Sequence, residues 1–158
     1  MIIPVLHILN SKGSAVITVR PDEAVTAIAH LLTHNRIGAV PVVDGTGHVV
    51  GLVSERSIVG ALARHGAEID RLCASDIMTH DVPTARRSED ILSVARKMTR
   101  SHSRHVPVLD DAGHLVGLVS IGDIVKLRLE QAELMAREMQ SYIMQEGYGA
   151  VAPRPFAS

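Results

Sequence analysis

A hydroxyl and a carboxylate three residues apart, Ser120 and Asp123, stand where the apolar run Leu115-Val116-Gly117-Leu118-Val119 gives way to a helical stretch. Two chemistries suit this spacing. Ser120 can cap the helix while Asp123 meets the positive end of its dipole. Alternatively, a carboxylate in the first helical turn can accept hydrogen bonds from hydroxyls of a bound molecule, and a bond to a charged group is worth about 1.5–3 kcal/mol. Arg104-His105 lies just before Val106-Pro107, and Lys126 follows Asp123 by about one turn. Arginine matches a phosphate bidentately and keeps its charge, whereas histidine adds charge only when protonated. The bland alternative is a solvated basic loop shared with Arg100 and His102.

The elements that must position these residues occur twice. Gly113-His114-Leu115-Val116-Gly117-Leu118-Val119-Ser120 recurs sixty-six positions earlier as Gly47-His48-Val49-Val50-Gly51-Leu52-Val53-Ser54, with one residue changed. In the first copy, Ala15 to Val19 reads as a β-branched strand. Pro21-Asp22 offers a helix start, and Val25, Ile28, Ala29 and Leu32 fall at the spacing of a one-sided helix. Ala39-Val40-Pro41-Val42-Val43 reads as a strand that Pro41 makes edge-like or irregular. The cluster Asp44-Gly45-Thr46-Gly47 turns the chain back, so Val49 to Val53 returns antiparallel. Ser57 to Arg64 then forms a helix ended by Gly66. Ile91, Val94, Ala95, Met98, Pro107, Asp110, Gly113 and Gly117 repeat the layout in the second copy.

Each copy is therefore strand–helix–strand–strand–helix. Neither hides enough surface to be stable alone, so the two should pack as a pseudo-symmetric pair of α/β (α+β) class. The expected organisation is residues 1–74 for the first repeat with a short helix near Val5–Leu9, residues 75–146 for the second, and 147–158 as a flexible tail. Ala74 to Asp81 links the repeats. The last helix, from Ile124 to about Gln145, carries Val125, Leu129, Ala132, Ala136, Met139 and Ile143 in a heptad seam suited to self-association, the alternative being a long amphipathic helix folded back on its own domain.

Composition narrows the function classes. The 158 residues are 46% apolar with a formal net charge of −1, which suits a globular core and leaves no basic footprint for nucleic acid. Tyr142, Tyr148 and Phe156 are the only aromatics, so no base-stacking platform exists. No apolar run reaches the ~20 residues of a membrane helix. The first residues lack a secretory pattern, so the expectation is cytoplasmic. Cys73, the single cysteine, reads as a small buried hydrophobe. His30 and His34 share a helix face without a third ligand, so no metal site is expected. Gly45-x-Gly47-x-x-x-Gly51 leads into a strand rather than a helix and is a turn, not a dinucleotide loop.

The doubled layout, Val40-Pro41-Val42-Val43-Asp44 with Val106-Pro107-Val108-Leu109-Asp110, the two Gly-Leu-Val-Ser strand ends and the linker Asp76-Ile77-Met78-Thr79 together resemble a tandem CBS-domain pair, the Bateman module, in a small stand-alone bacterial form. The resemblance covers roughly Leu6 to Ile143. It implies a regulatory, often dimeric module whose clefts between repeats hold adenine nucleotides or related adenosyl compounds, with AMP first, then ATP/ADP or NAD. On that basis Ser120 and Asp123 hold ribose, and Arg104, His105 and Lys126 meet phosphate. Val82, Thr84, Val106 and Pro107 line the adenine pocket. The first repeat has Ser57 where the second has Asp123, and Gly38-Ala39 where it has Arg104-His105. Its site, with Ile17, Thr18, Gly38, Ala39, Ser54, Arg56 and Ser57, is expected to be the weaker. No nucleophile–base pair suggests an enzyme. The partners implied are adenine nucleotide, a second copy of the chain and an unidentified downstream protein. The alternative is a dimerisation module that needs no ligand.

Overall fold

The repeat written in the sequence becomes two hairpins with the same register. The computed structural model describes residues 2–13 and 15–149. Strand β1 (Ala39–Val43) pairs antiparallel with β2 (Val49–Ser54), as β4 (His105–Leu109) does with β5 (Leu115–Ser120). Ala39 faces Ser54 and His105 faces Ser120; the ladders slip at matching points, after Val42 and after Val108. Asp44 Oδ1 accepts from the backbone N–H of Thr46 at 2.9 Å and of His48 at 3.1 Å. Asp110 Oδ1 accepts from Ala112 and His114, both at 2.9 Å. Gly47 and Gly113 close the turns at φ 86° and 84°, where a side chain would be strained.

Helix α1 spans Val5–Lys12, α2 Val25–Asn35 and α3 Glu55–His65, with a 3-10 turn over Gly66–Arg71. Then come α4 (Ala74–Ile77), α5 (Ile91–Ser101) and α6 (Ile121–Gly149). The expected stripes are buried: Val25, Ile28 and Leu32 on α2, and Ile91, Val94 and Met98 on α5. Helix α2 begins later than Pro21-Asp22 suggested, after an uncapped Ala24.

The strand expected over Ala15–Val19 shrinks to a single parallel bridge between Val19 and Val42. Val19 donates to the Pro41 carbonyl at 3.0 Å, and Val43 donates to the Val19 carbonyl at 2.9 Å. The next donor in that row would be the N–H that Pro41 lacks, so the ladder stops there. Pro107 has the same effect on β3 (Ala85–Arg86), which pairs with β4 for two residues only. Pro41 is fully buried, in a strand of a two-stranded sheet whose register shifts after Val42, the irregularity its proline led one to expect.

Each repeat is completed by the segment that precedes the other. Ile3 accepts from the Ile91 N–H at 2.9 Å and Val5 donates to Glu89 at 2.8 Å, laying α1 against the second repeat. In register with these, Leu72 accepts from the Val25 N–H at 3.0 Å and Ala74 donates to Glu23 at 2.8 Å, laying α4 against the first. Leu9 sits over Gly117, and Met78 over Gly51, where a Cβ would come within 2.5 Å of either side chain. The N-terminal helix, assigned by sequence order to the first repeat, therefore packs on the second. Cys73 is half-buried rather than buried, with Sγ 3.2 Å from Asp76 Oδ2.

The chain divides into two units, the second beginning at Gly122. Helix α6 exposes Val125, Leu129, Met139 and Ile143, each 49–64% accessible. It runs to Gly149, so the first three residues of the expected tail are helical and the rest of that tail lies outside the described residues.

Candidate functional site

Each hairpin delivers its hydroxyl to a helix start. Ser54 ends β2 and caps α3: its Oγ accepts from the Ser57 N–H at 3.2 Å, while Ser57 Oγ accepts from the Ser54 N–H at 3.1 Å. This is a reciprocal capping box, made because the first-turn amides of a helix lack partners inside it. The Glu55 N–H bonds the Gly38 carbonyl at 2.9 Å, and the Ile121 N–H bonds the Arg104 carbonyl at 2.8 Å. The segment before the hairpin is thereby tied to the helix start in both repeats.

A cavity of about 840 Å³ opens beside the α3 start, and all its lining residues belong to the larger unit. One wall carries Ser54, Arg56, Ser57, Gly60 and Arg64; the others carry Gly38, Thr79, Asp81, Val82, Pro83, and Ser101 through His105. Arg64 lies back over Gly60, where a Cβ would be in ordinary contact with the guanidinium at 3.5 Å. Gly38 faces the His105 ring, with a Cβ there 3.2 Å from Cε1. Arg56, Arg64 and Arg104 make no ion pair among the described residues. Glu55 and Asp81 are the opposing charges on the lining. Such a wall suits an anion, because unpaired guanidinium groups gain most from a bidentate acceptor.

The sequence expectations regroup accordingly. Arg104 and His105, expected beside Ser120 and Asp123, line a cavity with Ser54, Arg56 and Ser57 of the first repeat. The reason is the pseudo-symmetric packing, which turns the approach to β4 toward the partner repeat's helix start. Val82 lines the same cavity, but Thr84 does not; its carbonyl accepts from Lys97 Nζ at 2.7 Å. Val106, Pro107 and Ala39 are buried and are not among the residues lining this cavity. Ile17 and Thr18 lie exposed on the irregular approach to Val19. Ser120 pairs across from His105, Asp123 stands in the first turn of α6, and Lys126 follows on the same helix.

Sequence reasoning missed Arg64, Thr79, Asp81, Pro83, His102 and Ser103. Ser57, Gly60 and Arg64 follow a three–four spacing on one face of α3, a signal that was available. His102 has none in its residue type: it occupies a left-handed helix end at φ 54°, matching Arg36 at φ 53°. Among the described residues no cluster of three metal-ligating side chains occurs, and no helix is long and apolar enough to cross a membrane.

Known proteins place this geometry. The model of the CBS domain matches residues 12–64 and again 74–130. A crystal structure of the CBS-domain containing protein ATU1752 from Agrobacterium tumefaciens is 38% identical, covers 81% of this chain and 95% of its own, and superposes with a TM-score of 0.76. The CBS domain pair of protein MJ0100, solved with 5-methylthioadenosine and S-adenosyl-L-methionine, is 32% identical over 79% of this chain and 98% of its own, with a TM-score of 0.71. Among curated relatives, an L-aspartate semialdehyde sulfurtransferase of Methanocaldococcus jannaschii is 32% identical over 78% of this chain, which spans only 23% of that enzyme. An uncharacterized protein of Methanopyrus kandleri is 28% identical over 80% of this chain, which spans 65% of it. The chain belongs to the CBS-domain family and is built as a tandem CBS pair.

Proposed function

We propose that the pair is a non-catalytic regulatory module that binds an adenine nucleotide between its repeats and reports occupancy by a change in packing. The carrying observation is the cavity of about 840 Å³ in which Arg104 and His105 oppose Ser54, Arg56 and Ser57. The adenosyl ligands named for the MJ0100 pair support the class. AMP is the first choice, followed by ATP/ADP and NAD. On α6, Asp123 is the proposed acceptor for ribose hydroxyls of a second ligand, with Lys126 toward its phosphate. A ligand shifts the packing only by its difference in affinity for the two arrangements. The module works in the cytoplasm, on a downstream protein rather than on nucleic acid or a membrane.

Calorimetric titration with AMP, ATP, NAD and S-adenosylmethionine tests this reading. Micromolar binding of at least one is expected. Arg104→Ala should weaken one site about tenfold to a hundredfold, the range of one charged hydrogen bond, and Asp123→Ala should do the same to the other. If nothing binds below millimolar, the nucleotide-sensor reading fails.

The exposed seam on α6 favours a second property, self-association. Leu129, Met139 and Ile143 leave well over half their surface accessible. We place a homodimer contact there, with Ala132 and Ala136 allowing close approach. Sedimentation should show a dimer that Ala136→Glu converts to monomer; an unchanged mass would remove α6 from the interface.

A further inference from the structure

The first-repeat cleft differs from a diol-reading site in a way that points to its ligand, an inference that rests on the nucleotide reading above. We propose that this cleft takes an adenine nucleotide carrying a phosphate ester on its ribose, at the 2′ or 3′ oxygen, as well as its 5′-phosphate. Ser57 holds the helix position that Asp123 holds in the second repeat. Its hydroxyl is committed to the cap, accepting from the Ser54 N–H at 3.1 Å and lying 3.1 Å from Ser54 Oγ. No carboxylate is therefore presented at this position to accept a free diol, and none is there to repel a ribose phosphate.

The neighbouring residue supplies the complement. Arg56 precedes Ser57, Arg64 lies two turns further along α3, and both line the cavity without an ion pair among the described residues. Arg104, beside His105, lines the cavity from the other repeat. Cation is thus present on two walls, which a ligand with a single phosphate engages only on one. Glu55 and Asp81 also line the cavity, yet three arginines outnumber them even with both histidines neutral. Dinucleotide-binding folds make the same exchange, with an acidic residue for a free 2′-hydroxyl and an arginine for a 2′-phosphate. The volume of about 840 Å³ lies in the range of sites for ligands of this size.

The test uses the intact chain and four probes: AMP, ADP, adenosine 2′,5′-bisphosphate and adenosine 3′,5′-bisphosphate. ADP carries as many phosphates as the bisphosphates, so it separates phosphate position from phosphate number. At the site lost in Arg104→Ala, one bisphosphate should bind at least about tenfold tighter than AMP and tighter than ADP, as one added charge-assisted contact requires. Arg56→Ala should erase that advantage, costing the bisphosphate more than it costs AMP. Ser57→Asp, which keeps a good residue in the first helical turn, should invert the order. If AMP or ADP binds as tightly as both bisphosphates while Arg104→Ala still weakens binding, the ribose-phosphate proposal is overturned and the nucleotide reading stands. If no probe binds and Arg104→Ala changes nothing, both fall.

Discussion

The two repeats fold alike and are dressed differently, and their differences fall into two kinds. Residues required by backbone geometry or core volume recur at an offset of sixty-six: Asp44 and Asp110, Gly47 and Gly113, Pro41 and Pro107, Val53 and Val119. Other paired positions do not recur. Gly38-Ala39 answers Arg104-His105, and Ser57 answers Asp123. A third difference lies under the second-repeat helix. There Lys97 Nζ meets Glu89 Oε1 at 2.6 Å, whereas the first repeat has Leu31 and an exposed Glu23. Shared residues thus describe what the fold needs, and under the proposed function the divergent ones are where the two halves would differ in use. Because the lead-in to each repeat packs on the other, the halves diverge in chemistry without becoming independent in stability.

That interdependence gives the largest expected effect. Ile28 is fully buried in the first-repeat core with Val25, Val40, Val42 and Val53. Ile28→Ala should cost about 2–5 kcal/mol, the usual range for an isoleucine cut back to alanine in a core. The loss should be global, since α4 and the segment before α1 bind across repeats. Urea unfolding followed by hydrogen exchange should therefore show both repeats opening in one transition. A first repeat that melts while amides of α5 stay protected would break the equivalence of the halves.

A smaller contrast concerns the glycines under the lead-in helices. A Cβ at Gly117 would meet only Leu9 side-chain atoms, the nearest at 2.5 Å. At Gly51 it would meet Met78 at 2.5 Å and also the Thr79 carbonyl oxygen at 3.0 Å, which belongs to the backbone. That carbonyl accepts from the Leu52 N–H at 3.0 Å and resists displacement. Both Gly→Ala changes overpack, at about 1–3 kcal/mol, and Gly51→Ala should sit nearer the upper end. Equal melting temperatures for the two variants would show that α4 yields as readily as a leucine rotamer.

Much of the fold was legible because hairpins, turns and helix stripes are local patterns. Asp44 to Gly47 specifies its turn within four residues, and Val25, Ile28 and Leu32 declare their face by spacing alone. Membership of a tandem CBS pair was legible for the same reason, since two copies in register leave little freedom. What escaped were consequences of packing between copies. The strand over Ala15–Val19 was lost to a missing N–H on Pro41, a residue more than twenty positions away. Helix α1 docks on the second repeat by a crossing that local pattern does not encode. Arg104 and His105 were expected beside Ser120 and Asp123, but the cavity they line lies against the helix start of the other repeat. Arg64, seven residues beyond Ser57, needed only the helical period to be noticed.

The smallest effect isolates the ion pair by its dependence on pH. Burial alone would raise the Glu89 carboxyl, but hydrogen bonds from Lys97 and Ser93, the Lys97 charge and the Arg86 N–H outweigh it and hold the value below the ordinary 4.5. A carboxyl depressed in the folded state stabilises the fold above its unfolded value, and that contribution disappears as pH falls through the folded one. Asp44 and Asp110 are depressed too, the first mainly by the Thr46 hydroxyl and the second by the His114 N–H, so acid weakens the turns of both repeats in parallel. Lys97→Leu imports the first-repeat residue and leaves those turns intact. At neutral pH it should cost about 1 kcal/mol or less, because the Lys97 side chain is 36% accessible and the pair is partly screened. As pH falls through the depressed folded-state value Glu89 takes up its proton, and the two unfolding curves should converge. A difference between wild type and Lys97→Leu that is the same at pH 7 and at pH 3 would mean that Lys97 acts through its bond to the Thr84 carbonyl rather than through Glu89.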